Sequence, residues 1–215
     1  MSLPTVREVR KRIDGINDVP TSMVLRTAFL YAGRISEVVG KVSPSDMTVA
    51  RGPRGTDASL DQIEGHDAVL FKVRTAKRKG LERIIALPTE CEPWALPLYN
   101  YFKDVKTEFV FPFTRQKVWK DAQPTFEGFK CPIEPYKITG HAKVERHVRP
   151  FTLHSLRHLR ATELRRFYHF HADELAAYCG WTMRTADPRI TSVMQRYQDL
   201  SADYLDYFPK LLRKR

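Results

Sequence analysis

His154-Ser155-Leu156-Arg157-His158, running into Leu159-Arg160-Ala161-Thr162-Glu163-Leu164, is the stretch on which the reading of this chain turns. It sits inside a longer segment, Leu153–Tyr168, whose pattern is helical. On a helix His154 and Arg157, three residues apart, share a face. An imidazole and a guanidinium facing the same way can grip a phosphate from two directions. His154 and His158 also stand four apart, a spacing that suits zinc, but His154–His158 itself holds no carboxylate or cysteine to complete such a site. With seven histidines in the chain, an H-x-x-R alone is close to a chance event.

Toward the C-terminus three more helical patterns follow, over Ala172–Cys179, Pro188–Gln198 and Ala202–Leu212. Pro188 suits the first turn of its helix, and Pro209 is expected to kink or split the last one. Ile190, Val193, Met194 and Tyr197 fall on one helical face, which by itself reads as a core stripe. Leu205, Phe208, Leu211 and Leu212 precede the basic end Arg213-Lys214-Arg215. That apolar set fits packing on its own domain and docking on a neighbouring protomer equally well.

Toward the N-terminus, Pro20 and Thr21 open a helical pattern through Val24, Leu25, Ala28, Phe29 and Ala32, which Gly33 ends. Arg34 comes directly after that end. Glu37, three residues on, is placed either to orient Arg34 or to form an ordinary surface ion pair with it. A short helix is expected over Ile35–Gly40, then a turn at Ser43-Pro44-Ser45-Asp46, and a loop over Arg51–Gly65. Ala68–Thr75 and Arg83–Leu87 are β-rich and flank the basic connection Ala76–Glu82, which predicts a hairpin with Lys77, Arg78 and Lys79 at its tip. Trp94–Val105 and Arg115–Lys120 read as helices, and 122–150 as mostly loop. Helices, a small hairpin, then helices predict a mainly helical α+β fold. Residues 1–19 are expected to be a helical appendage or linker, with the catalytic domain over 20–215.

The 215 residues are 42% hydrophobic, enough for a packed core and too apolar for a disordered chain. The formal charge of +11 favours a polyanionic partner, since each Lys or Arg that neutralises a phosphate releases a condensed counterion. The apolar stretch at Met23–Ala32 is short and interrupted by Arg26, and the first residues carry no signal-peptide core. Cys91, Cys131 and Cys179 are odd in number and scattered, which suits reduced thiols in a cytoplasmic protein.

Taken in order, the clusters resemble the catalytic domain of the tyrosine recombinases, or phage-type integrases. The resemblance runs from about Pro20 to Tyr197. It rests on Arg34 with Glu37, on the tip lysine (Lys77 by position, Lys79 as the alternative) and on His154 and Arg157 with His158, Ala161 and Thr162. Trp181 after Gly180, and finally Tyr197, complete it. Arg83-Ile84-Ile85-Ala86-Leu87-Pro88 is similar to the strand after the family's lysine hairpin, and Ser45-Asp46-Met47 to the turn before its first strand. Two departures stand out. Trp181 and Tyr197 lie further apart than is usual, with Thr182–Arg189 looking like an insertion, and Tyr204 and Tyr207 are fallback nucleophiles. The residues before Pro20 are also too few for the helical DNA-clamping domain with which family members begin.

The resemblance implies a reaction without metal or nucleotide cofactor. Arg34 and Arg157 would hold the non-bridging oxygens of a backbone phosphate, with His154 and Trp181 adding hydrogen bonds. Tyr197 would attack to give a 3′-phosphotyrosyl link, and Lys77 would protonate the leaving 5′ oxygen. The partner would be double-stranded DNA, held by a dimer or tetramer in association with the nucleoid. Lys72, Arg74, Arg78, Lys79, Arg83, Lys143 and Arg146 are the expected phosphate track. A type IB topoisomerase-like relaxing enzyme and an inactive DNA-binding relative are the alternatives.

Overall fold

A computed structural model describes residues 4–40, 52–75, 82–132, 148–181 and 203–213, and every structural statement below refers to these. The fold is α+β. Seven helices surround a three-stranded antiparallel sheet in the order β1-β2-β3, and a two-stranded ribbon lies apart.

The N-terminal segment is more than a linker. Thr5 and Glu8 form a capping box that starts α1 (Val6–Asp14). Val9 and Ile13 of α1 are fully buried in the main core, and Arg10 makes paired hydrogen bonds of 2.7 and 2.8 Å to Glu92. The expected N-terminal helix therefore packs into the same core as the segments that follow it. The central helix α2 (Val19–Leu30) is capped by Asp18, with Pro20 in its first turn. It buries Val24, Leu25, Ala28 and Phe29 against α5 (Leu153–Arg166).

The expected loop over 51–65 holds a strand. A 3-10 turn at Gly55–Asp57 leads into β1 (Ala58–Ile63), which pairs with β2 (His66–Arg74) in the register Ile63↔His66. Only Glu64 and Gly65 separate the two, and both have positive φ, 52° and 81°. That is the φ signature of a type I′ hairpin turn, whose twist matches the strands. Glu-Gly is a weaker sequence signal for it than Asn-Gly, so composition favoured a loop.

β2 pairs with β3 (Glu82–Pro88) from Ala68↔Pro88 to Arg74↔Glu82. The paired strands agree with the expected hairpin, and its tip lies outside the described residues. Val69, Phe71, Val73, Ile85 and Leu87 face the main core, whereas Ala68 and Ala86 join Ile63 and Phe208 on the opposite face. Phe208 belongs to α7 (Tyr204–Leu211), so the last helix packs on its own domain. Pro209 lies within α7 without splitting it.

α3 (Ala95–Asp104) and α4 (Arg115–Ala122) fall where the sequence placed them. Within the loop-like 122–150, whose strand content the sequence leaves open, lies the ribbon of β4 (Lys130–Pro132) and β5 (Val148–Pro150). α6 (Ala172–Cys179) matches its expected span. The turn at Ser43–Asp46 and the helix at Pro188–Gln198 lie outside the described residues. No described helix is long and apolar enough to cross a membrane.

Candidate functional site: Arg34, Arg83 and Arg157

The site begins where α2 ends. Ala32, with φ of 42°, takes the left-handed conformation that closes the helix. Gly33 has a different role: a Cβ there would lie 2.8 Å from Oε2 of Glu37. The missing side chain lets the 3-10 turn Ile35–Glu37 fold back on the helix end. The Arg34 amide then donates to Oε2 of Glu37 at 3.2 Å, and its Nη1 lies 3.8 Å from Oε1. The Arg34 side chain remains 30% exposed while that of Glu37 is fully buried.

The second cation comes from the sheet. Residues 83, 85 and 87 share a strand face, so Arg83 lies on the core side with Ile85 and Leu87. It was expected on a surface phosphate track, but its side chain is only 8% exposed. Nε donates to the Tyr178 carbonyl at 2.9 Å. Nη2 donates to the Tyr31 carbonyl at 3.2 Å and to Oε2 of Glu37 at 3.0 Å.

The third cation, Arg157, projects from the buried face of α5. Its Nη2 donates to the Cys179 carbonyl at 3.2 Å. α6 ends in a Schellman motif: Gly180, with φ of 64°, donates to Ala177, and the Trp181 amide donates to Ala176 at 2.9 Å. This turn sets the exposed Trp181 ring 5.6 Å from Cζ of Arg157.

The electrostatics follow from the crowding. Burial lowers the Arg157 pKa, the Cys179 thiol and Glu37 oppose that shift, and Arg34 and Arg83 reinforce it. Nη1 of Arg83 and Nη1 of Arg157 are buried without a hydrogen-bond partner. Buried donors left this way are uncommon and costly. Two guanidinium groups at one buried carboxylate and a third on the Cys179 carbonyl, two of the three with spare donors, form an environment that favours an anion.

The remaining expected residues divide into four groups. His154 and His158 are exposed on α5 with rings edge to face, centroids 4.7 Å apart, so His154 lies on the solvent side of the helix from which Arg157 is buried. No set of three or more His, Cys, Asp or Glu among the described residues is arranged to hold a metal. Lys72 pairs with Glu82 at 2.6 Å, and Arg74 binds Asp57 through both terminal nitrogens. Lys77, Arg78, Lys79, Lys143, Arg146 and Tyr197 lie outside the described residues. Of the fallback nucleophiles, Tyr204 is half-buried. Tyr207 is fully buried, its hydroxyl donating to the Ile84 carbonyl at 2.9 Å, and burial holds its pKa well above the usual tyrosine value. It is therefore placed as a core residue.

Two features escaped the sequence reading. One is the central position of Arg83, which strand alternation with Ile85 and Leu87 does signal. The other is a buried ionic network in which Arg10 and Arg160 approach Glu92 and Arg160 also pairs with Glu163. Glu92 and Arg160 are 68 positions apart, and no local pattern joins them. No protein-family model matches the chain, nor does any curated protein or solved structure.

Proposed function

We propose that this chain is the catalytic domain of a tyrosine recombinase, an enzyme that cleaves and rejoins double-stranded DNA through a 3′-phosphotyrosyl intermediate. One observation carries the reading: Arg34, early in the chain, is held at Glu37, and Arg157, late in it, at the Cys179 carbonyl beside Trp181, while Arg83 bonds to both Glu37 and the neighbouring Tyr178 carbonyl.

A phosphodiester resists nucleophiles because of its own charge, and the site must neutralise that charge most strongly in the transition state. Arg34 and Arg157 hold the two non-bridging oxygens. His154, exposed at the start of α5, takes the phenolic proton of Tyr197, whose oxygen forms the new bond to phosphorus. The bond to the 5′ oxygen breaks, and Lys77 (or Lys79) supplies the proton that this oxygen needs. The phosphotyrosyl link conserves the phosphoester, so a second 5′-hydroxyl reverses the step without ATP. Tyr197 and the tip lysine enter on sequence order and the family resemblance. Action by a dimer or tetramer on DNA, and association with the nucleoid, belong to the same reading.

The test is incubation with nicked suicide DNA, where the 5′-hydroxyl diffuses away, followed by mapping of the linked residue. The expected product is a DNA adduct on Tyr197, formed in the presence of EDTA and lost in Tyr197→Phe. No adduct, or an adduct on another residue, sinks the proposal. Recombination between two plasmid sites, set against simple relaxation of one supercoiled plasmid, separates strand exchange from topoisomerase-like action.

A further inference from the structure

We infer that Arg83 is a positioning residue that sets the separation between Arg34 and Arg157, and with it the affinity of the cluster for a phosphate-like anion. The inference rests on the reading of Arg34 and Arg157 as phosphate-holding groups and goes beyond it by adding a residue that need not touch the phosphate.

Arg83 bonds to the group that holds Arg34 and to the residue next to the one that holds Arg157. Arg34 is fixed by its backbone and side-chain contacts to Glu37, and Arg83 binds that same carboxylate at 3.0 Å. Arg157 is fixed by the Cys179 carbonyl, and Arg83 binds the adjacent Tyr178 carbonyl at 2.9 Å. A third bond, to the Tyr31 carbonyl at 3.2 Å, ties in the end of α2. Three acceptors on separate segments are spanned by one planar fork, which a guanidinium provides and an ammonium on a flexible stem does not.

The surrounding backbone is cleared for that fork. A Cβ on Gly180 would stand 2.7 Å from Nη1 of Arg83, and one on Gly33 would stand 3.4 Å from Nη2. Gly180 thus leaves room for the guanidinium, while Gly33 leaves room for the Glu37 carboxylate that it binds. A plain structural tether would share these bonds, and its removal would lower stability without altering how the cluster meets an anion. The two roles therefore separate in a binding measurement.

Inorganic sulfate is the probe, used on the full chain as wild type, Arg83→Lys and Arg83→Met. The melting temperature is followed against sulfate, with chloride at matched ionic strength as the control. Wild type is expected to rise with sulfate by mass action. Arg83→Lys should need about tenfold more sulfate for half the rise, roughly one lost charge-assisted hydrogen bond. Arg83→Met should show no sulfate-specific rise. On suicide DNA at saturating concentration, Arg83→Lys should form adduct about tenfold more slowly while its DNA affinity stays within about threefold of wild type. A sulfate response in Arg83→Lys within about threefold of wild type, or none in wild type, overturns the inference. Should Arg83→Met fail to fold, Arg83→Lys decides alone. A wild type that responds to sulfate through Arg83 yet forms no DNA adduct would instead remove the recombinase reading.

Discussion

Nη2 of Arg83 lies 3.0 Å from Oε2 of Glu37, so a strand of the central sheet is bonded directly to the turn that carries Arg34. Both side chains are buried, and burial makes such a contact costly to break from one side only. The carboxylate balances a crowded set of positive charges, and the sheet holds the carboxylate. The geometry of the site therefore depends on the integrity of the whole body, including the helix that begins it.

That helix supplies the first prediction. Arg10 fills its pocket with two hydrogen bonds to Glu92, and its guanidinium lies 4.2 Å from the centroid of the Trp94 ring. Arg10→Ala leaves a buried carboxylate with less compensation and is expected to cost about 3–5 kcal/mol. Ile13→Ala removes a fully buried side chain and should cost about 2–5 kcal/mol. Urea unfolding of each variant measures both. Losses below about 1 kcal/mol would mean that α1 adds little to the stability of the core on which it packs.

What was legible in the sequence is a matter of range. Helix periodicity and capping residues are local, so α2, α3, α5 and α6 were legible with their ends nearly in place. The β2–β3 hairpin was legible from its β-rich runs. The pairing of Arg10 with Glu92 spans 82 positions and leaves no local trace. β1 was lost because its exposed run Ser59–Gln62 looks like polar loop, and only the partner strand reveals the pairing. At the site, Arg34, Glu37, Arg157 and Trp181 were legible from motif order. Arg83 was mistaken for a surface residue because its charge outweighed the strand alternation that turns it inward.

Two glycines provide an internal comparison. Gly65 and Gly180 both have positive φ, 81° and 64°. A Cβ on Gly65 meets nothing within 4 Å, while one on Gly180 would stand 2.7 Å from Nη1 of Arg83. Gly65→Ala should therefore cost only the backbone strain, about 1–2 kcal/mol. Gly180→Ala should cost more, because three hydrogen bonds keep the Arg83 guanidinium from moving aside. Equal losses in denaturant unfolding would show that the guanidinium shifts freely and that the three bonds hold it weakly.

Alkaline pH should destabilise the fold. Burial pushes the Cys179 thiol up to about 12, against the opposing pull of Arg157, and burial pushes Tyr178 to about 12 as well. Both groups stay protonated in the folded state, whereas the unfolded chain releases these protons near about 8.5 and about 10. The unfolded state then binds fewer protons, so stability is fully present below about pH 8.5 and falls as pH rises through the window to about 12. Unfolding free energies measured across that range should decline, and Cys179→Ala should flatten the first part of the decline. The native thiol should also resist iodoacetamide at about pH 8.5, because the thiolate is the reactive form. A pH-independent stability, or ready alkylation of Cys179 in the folded protein, would contradict the burial argument.

Arg74 and Lys72 offer the last test, because both were expected to contact phosphates and both already have partners. Arg74 donates to both oxygens of the buried Asp57, whose Oδ2 also accepts from the Arg54 amide at 2.7 Å. Removing Arg74 strands that carboxylate, so Arg74→Ala should cost about 1.5–3 kcal/mol, the range for hydrogen bonds to charged groups. Lys72 and Glu82 are both exposed, and Lys72→Ala should change stability by less than about 1 kcal/mol. DNA affinity measured against salt tells the rest. A residue that neutralises one phosphate contributes about 0.9 to the slope of log affinity on log salt concentration. With its terminal nitrogens committed to Asp57, Arg74 should leave the slope unchanged when removed. Lys72, free to trade an exposed ion pair for a phosphate, should reduce it by about one unit. The reverse pattern would move Arg74 onto the DNA-contacting surface and reduce its pairing with Asp57 to a resting arrangement of the unbound protein.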